Sequence, residues 1–163
     1  VAVLVRNQFG VLNRVTSMFR RRQFNIDNLT VSETESPDYS RITVQFAGER
    51  VTKQQLVDQL YKLPDVCSIR ELDSENSVSC ELLLITLKND PASRGDIRAA
   101  ADAFEAKTVD YTRDSIVLRV TADSRRIDDF IDLMRDYEIL EICRTGVVSL
   151  ERGADTIRKV TNL

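Results

Sequence analysis

The chain has 163 residues, 42% of them hydrophobic and 30% charged, with a net charge of −3. This is an ordinary globular composition that argues against broad binding of nucleic acid or anionic membranes, and no apolar run approaches the 18 residues of a membrane span. There is no histidine, and the three cysteines, Cys67, Cys80 and Cys143, are scattered. A histidine-dependent triad and a zinc site within this chain are thereby excluded, and the cysteines read as small buried hydrophobes in a reducing compartment.

Taken in order, the apolar run Val1–Val5 predicts a strand, and Val11, Leu12, Val15, Met18 and Phe19 predict a helix over Val11–Arg22. The helix closes on Arg20, Arg21 and Arg22, cations at the negative end of its dipole. Alternation around Leu29 and Val31 predicts a second strand, Ser36-Pro37-Asp38 a turn, and Ile42, Val44 and Phe46 a third strand over Tyr39–Ala47 ended by Gly48. Thr52-Lys53-Gln54-Gln55 reads as a capping box for a helix reaching about Lys62, before Pro64. Val66–Leu72 is a fourth strand. The order strand-helix-strand-strand-helix-strand is the split βαβ unit of ferredoxin-like folds.

Residues 74–77 are polar and aperiodic, and are read as a linker between domains at 1–73 and 78–163. The same order then returns: a strand at Val78–Leu87, a helix opened by Asp90-Pro91 and reaching about Ala106, strands at Thr108–Tyr111 and Ser115–Val120, a helix capped by Asp123-Ser124, and a closing strand interrupted at Thr145-Gly146. The fold class is α+β, two tandem ferredoxin-like βαββαβ units of about 75 residues each, a size that leans on a neighbour or partner. The second strand of the first unit is an edge that, with Leu29 and Val31 exposed, invites pairing with another copy.

Catalysis has little to work with. No serine or cysteine has a histidine to activate it. Asp128, Asp129, Asp132 and Asp136 are interleaved with Arg125, Arg126 and Arg135, as in a solvated helix face, and no Walker loop, EF-hand or dinucleotide motif occurs. The third strand lacks the aromatic set of an RNA-recognition motif. The informative stretch is Asn7–Leu12. On spacing alone it is a strand-to-helix turn with Gly10 for tightness and Asn7 as a local cap. Read functionally, the first N–H groups of the helix favour an anion. A free amino acid needs donors for its carboxylate, which Gly10, Val11 and Leu12 can supply, and acceptors for its ammonium, which Asn7 and Asn25 can supply.

The pattern Asn7-x-x-Gly10-Val11-Leu12-x-Arg14-Val15-x-x-x-Phe19, followed by Phe24-Asn25-Ile26-x-x-Leu29-x-Val31, Ser40–Thr43, Leu60-x-Lys62-Leu63-x-Asp65-Val66 and, late, Arg144–Val148 and Arg152-Gly153, resembles the small regulatory subunits of acetohydroxyacid (acetolactate) synthase, whose first unit is an ACT domain. The resemblance implies a non-catalytic chain that binds and activates a large catalytic subunit and confers feedback by valine or another branched-chain amino acid. Thiamine diphosphate, Mg and FAD are expected on that partner and no cofactor or metal on this chain. It further implies a homodimer through the ACT domains, with ligand held by Asn7, Gly10, Val11 and Leu12 of one copy and Asn25 and Ile26 of the other, and a cytoplasmic location, or an organelle if a targeting segment has been removed. The first unit's helices, with Arg14 and Arg20–Arg22, are the expected face towards the large subunit. A stand-alone ACT-type sensor for a different partner is the alternative. Where this family carries glycine after the first helix, Gln23 stands here, and a shifted Asn25 loop is the expected consequence.

Overall fold

A computed structural model describes residues 1–46, 50–73 and 75–158. Its elements are β1 (Ala2–Arg6), α1 (Val11–Arg21), β2 (Asn28–Glu33), β3 (Tyr39–Gln45), α2 (Arg50–Leu60), β4 (Val66–Arg70), β5 (Ser77–Lys88), α3 (Arg94–Ala103), β6 (Lys107–Tyr111), β7 (Ser115–Ala122), α4 (Ser124–Met134), β8 (Ile139–Arg144) and β9 (Val148–Glu151). The first sheet runs β2-β3-β1-β4 and the second β6-β7-β5-β8. Both are the antiparallel sheet of a ferredoxin-like unit, the α+β class expected from the element order.

Two compact units result, Cys80–Gly146 and Val1–Ser79 together with Val147–Leu163. The unit Cys80–Gly146 thus ends before β9, whereas the expected domain runs over 78–163. β9 follows β8 after a break at residues 145–147, close to the expected interruption at Thr145-Gly146. It pairs with β5, whose opening residues Ser77–Ser79 belong to the first unit. Arg152 N–H donates to Asn76 O at 2.8 Å, and Ser79 Oγ donates to Ser149 Oγ at 2.7 Å.

The first core forms between one face of its sheet and the helices. Val3, Val5, Ile42 and Val44 alternate inward and meet Val11, Val15, Phe19, Leu56 and Leu60. The opposite face carries a smaller cluster of Ala2, Leu4 and Ile157. In the second unit, Leu83, Ile85, Leu87, Ile116, Leu118 and Val120 pack on Ile97, Ile127 and Phe130.

Several local expectations shift. Helix α2 begins at Arg50, so Thr52 is inside it and does not cap it. Gly48 lies outside the described residues, as does Ser74 of the expected linker, while Ser77 is already in β5. Helix α3 starts at Arg94 because Asp90 makes a turn of its own, accepting the Ala92 N–H on Oδ1 at 2.9 Å. Strand β2 is a sheet edge, but Leu29 faces the first core and is partly buried, leaving Val31 as its exposed apolar residue. The cysteines are free and not buried: Cys67 and Cys80 are half-buried, and Cys143, on edge strand β8, is exposed.

Candidate functional site

The turn between β1 and α1 is built around Gly10. Its φ of +81° is left-handed, a conformation that glycine adopts without penalty. A Cβ there would lie 3.3 Å from Arg14 Nη1. Gly10 is the N-cap of α1, and no side chain caps the helix. The first helical bond runs from Arg14 N–H to Gly10 O at 3.0 Å, and Val11 N–H reaches Gln8 O at only 3.3 Å. Leu12 and Asn13 lie in the first turn, whose N–H groups have no acceptor within their own helix. Together with the helix dipole they favour an anion.

Asn7 is held at the mouth of this turn. Its Nδ2 donates to Glu33 Oε1 at 3.1 Å and to Pro37 O at 2.9 Å, and its N–H donates to Asp38 O at 2.7 Å. With Nδ2 engaged by two acceptors, Oδ1 is the group of this exposed side chain left to accept from an ammonium, and Glu33 adds a carboxylate beside it. The Val11 side chain is in the core, so only its backbone can touch a ligand, whereas Leu12 is exposed.

Arg14 fixes the rest of the turn. Its Nε donates to Asp65 Oδ2 at 2.7 Å, and Asp65 O accepts the Arg6 N–H at 2.9 Å. End of β1, start of α1 and the loop before β4 are thus tied together at Asp65, whose buried side chain holds Arg14 and whose backbone carbonyl holds β1. Arg22, in the cluster expected to face a partner, donates from Nη2 to Gln59 Oε1 at 3.0 Å.

Asn25 and Ile26 lie beyond the other end of α1. Asn25 Nδ2 donates to Asp27 Oδ1 at 3.1 Å, and Ile26 packs against the first core. An 11-residue helix is about 16 Å long, so one copy of the chain does not bring Asn25 to Gly10. Gln23 stands where the family carries glycine. It takes the left-handed conformation itself, at φ 57°, and the bonds from Gln23 N–H to Arg20 O and from Phe24 N–H to Phe19 O are those of a Schellman cap. The Phe19 and Phe24 rings pack edge-on, 6.3 Å apart.

Sequence reasoning missed Phe9, a fully exposed aromatic immediately before Gly10, and Glu33, which joins Asn7 only through the fold. An aromatic in a turn that the periodicity leaves outside both strand and helix was the available signal for Phe9. No group of three or more Asp, Glu or Cys suited to a metal occurs among the described residues, and no helix there is long and apolar enough to cross a membrane.

Comparison with known proteins places both units. Residues 1–68 match the family described as the AHAS small subunit-like ACT domain, and residues 80–153 match the family of the small subunit of acetolactate synthase. A probable acetolactate synthase small subunit of Archaeoglobus fulgidus is 45% identical over 153 residues, spanning 94% of this chain and 96% of the relative. The acetolactate synthase small subunit of Bacillus subtilis is 40% identical over 155 residues, 94% of this chain and 90% of the relative. The crystal structure of the small subunit from Thermotoga maritima superposes with a TM-score of 0.88 at 33% identity, covering 94% of this chain and 96% of that one.

Proposed function

Because this chain belongs to the family of acetolactate synthase small subunits, we propose that it is a regulatory subunit that activates a large catalytic subunit and makes it responsive to valine or another branched-chain amino acid. In this reading the chemistry, with thiamine diphosphate, Mg and FAD, stays on the large subunit, and the pair works in the cytoplasm. The observation that carries the amino-acid part is the Gly10 turn: an uncapped helix start for a carboxylate, beside an asparagine with its amide nitrogen engaged and its oxygen available, and a glutamate that favours an ammonium.

The site is completed by a second copy. Edge strand β2 pairing antiparallel with its own counterpart brings the Asn28 end of one copy beside the Glu33 end of the other. Asn25 and Ile26 of the second copy then approach Asn7, Gly10 and Leu12 of the first, which resolves the separation of about 16 Å within one chain. Ligand at such a shared site stabilises one arrangement of the pair. It shifts activity only by its different affinity for the two arrangements.

The test is reconstitution with the matching large subunit, measuring acetolactate formation across valine, leucine and isoleucine. This chain is expected to raise the activity and valine to lower it again. An enzyme indifferent to the chain rejects the activating role. Activation that no branched-chain amino acid alters rejects the ligand.

A further inference from the structure

A second site lies on the face of the first unit's sheet that turns away from its helices. There the sheet supplies Leu4 and Arg41, the returning segment after β9 supplies Gly153 and Ile157, and β9 itself supplies Leu150. Together they enclose a cleft of about 390 Å³, within the range of small-molecule pockets.

Most charges around this cleft already have a polar partner. Glu151 and Asp155 face Arg70 at 3.6 and 3.8 Å, Glu35 is bonded to Arg158, and Glu33 accepts from Asn7. Arg41 donates from Nη2 to Ser149 O at 2.8 Å. Among the described residues it forms no ion pair, and its buried Nε has no hydrogen-bond partner. Burial weakens its hold on its proton, with Glu151 acting in the opposite sense. A buried charged donor lacking an acceptor is unfavourable, and a carboxylate held against the guanidinium from the cleft offsets its unpaired charge. Leu4, Leu150 and Ile157 beside it call for an apolar body. The surrounding carboxylates repel polyanions, so a single negative charge is the one that fits.

We propose that this cleft binds a small monocarboxylate with a branched apolar body, its carboxylate on Arg41 and its body against Leu4, Leu150 and Ile157. The ligand has no ammonium, so it differs from the amino acid assigned to the Gly10 turn, although Glu33 borders both sites.

The probe is isovalerate, titrated into the whole chain and followed by ¹H–¹⁵N NMR. Saturable shifts are expected at the Arg41 Nε–H and along Leu150–Ile157, with Gly10–Leu12 unmoved. Arg41→Gln should weaken binding about tenfold or more. Should that change disturb the fold, Leu150→Trp decides instead: Leu150 is largely exposed, and the indole fills the cleft while keeping Arg41. Shifts that never saturate, shifts centred on Gly10–Leu12, binding unaltered in both variants, or valine binding the cleft as tightly as isovalerate would each overturn the proposal. A chain that binds isovalerate here and yet ignores valine leaves this inference standing and removes only the amino-acid site.

Discussion

Gln23 and Glu105 stand at equivalent positions of the two units and share one backbone conformation, φ 57° and 56°. Each follows a helix, α1 or α3, and each continues a Schellman cap: Glu105 N–H donates to Asp102 O and Ala106 N–H to Ala101 O, as Gln23 and Phe24 do after α1. The left-handed conformation strains any residue with a Cβ. Gln23→Gly and Glu105→Gly are therefore expected to stabilise the chain by about 0.5–1 kcal/mol each, read as a rise in the urea midpoint at constant slope. Additive gains are expected, because the two caps share no partner.

Gly10 carries the opposite expectation. Its φ of +81° and the 3.3 Å approach to Arg14 Nη1 make Gly10→Ala destabilising by about 1 kcal/mol, modest because the crowding atom is the end of a flexible side chain. Gly10→Asp adds a carboxylate where a ligand's carboxylate is proposed to sit. In the reconstituted enzyme it should abolish the valine response while leaving activation. Loss of both would mean that Gly10 serves the fold rather than the ligand.

In the second unit, Glu81 is buried and bonded by Arg144 and by Ser124 Oγ, while Arg144 Nη1 also reaches Asp128 at 2.6 Å. Arg144→Met strands a buried carboxylate, and about 2–4 kcal/mol of stability should be lost. Replacing both partners, as in Glu81→Leu with Arg144→Leu, is expected to recover most of it, since the cost lies in the unpaired charge. Denaturant melts of the single and double variants measure the difference directly.

Glu35 links acidity to the returning segment. Its backbone hydrogen bond, and then the bond from Arg158, hold its carboxyl below the ordinary glutamate range. A depressed carboxylate stabilises the fold above the unfolded-state value, and the contribution fades as pH falls through the folded-state one. Carboxyl-detected NMR should therefore give Glu35 a midpoint below that of a free glutamate. Arg158→Gln should move it upward, and an unchanged midpoint would show that Arg158 contributes nothing.

The parts legible in the sequence are those set by neighbours in the chain. Val11, Val15 and Phe19 at helical spacing, or Ile42 and Val44 alternating, name their element and their face because burial selects one side, and Asp123 does cap α4, accepting the Arg126 N–H at 2.9 Å. The misreadings share a cause. Val147–Leu150 completes the interrupted closing strand and pairs with β5 as β8 does, yet nothing local says that Ser149 also meets Arg41 or that Ile157 covers Leu4. Thr52 fits a capping box, yet the backbone turns helical before it. The pairings of Asn7 with Glu33 and of Arg41 with Ser149 join residues 26 and 108 positions apart, and no periodicity encodes them. Asn7, Gly10 and Asn25 were nameable only as a pattern. The sequence pattern already divides them between two copies, and the fold adds the reason, their separation by the length of α1.

The order of synthesis acquires a meaning from the segment that returns to the first sheet. As a ribosome lengthens the chain, residues 80–146 are a contiguous stretch that can close as soon as it emerges. The first unit, although begun earlier, must hold Ala2 and Leu4 uncovered and Arg41 without its carbonyl partner until Ser149 and Ile157 have been made. The unit started first is thus completed last, and a nascent chain halted before β9 presents a bare apolar sheet face to whatever surrounds it.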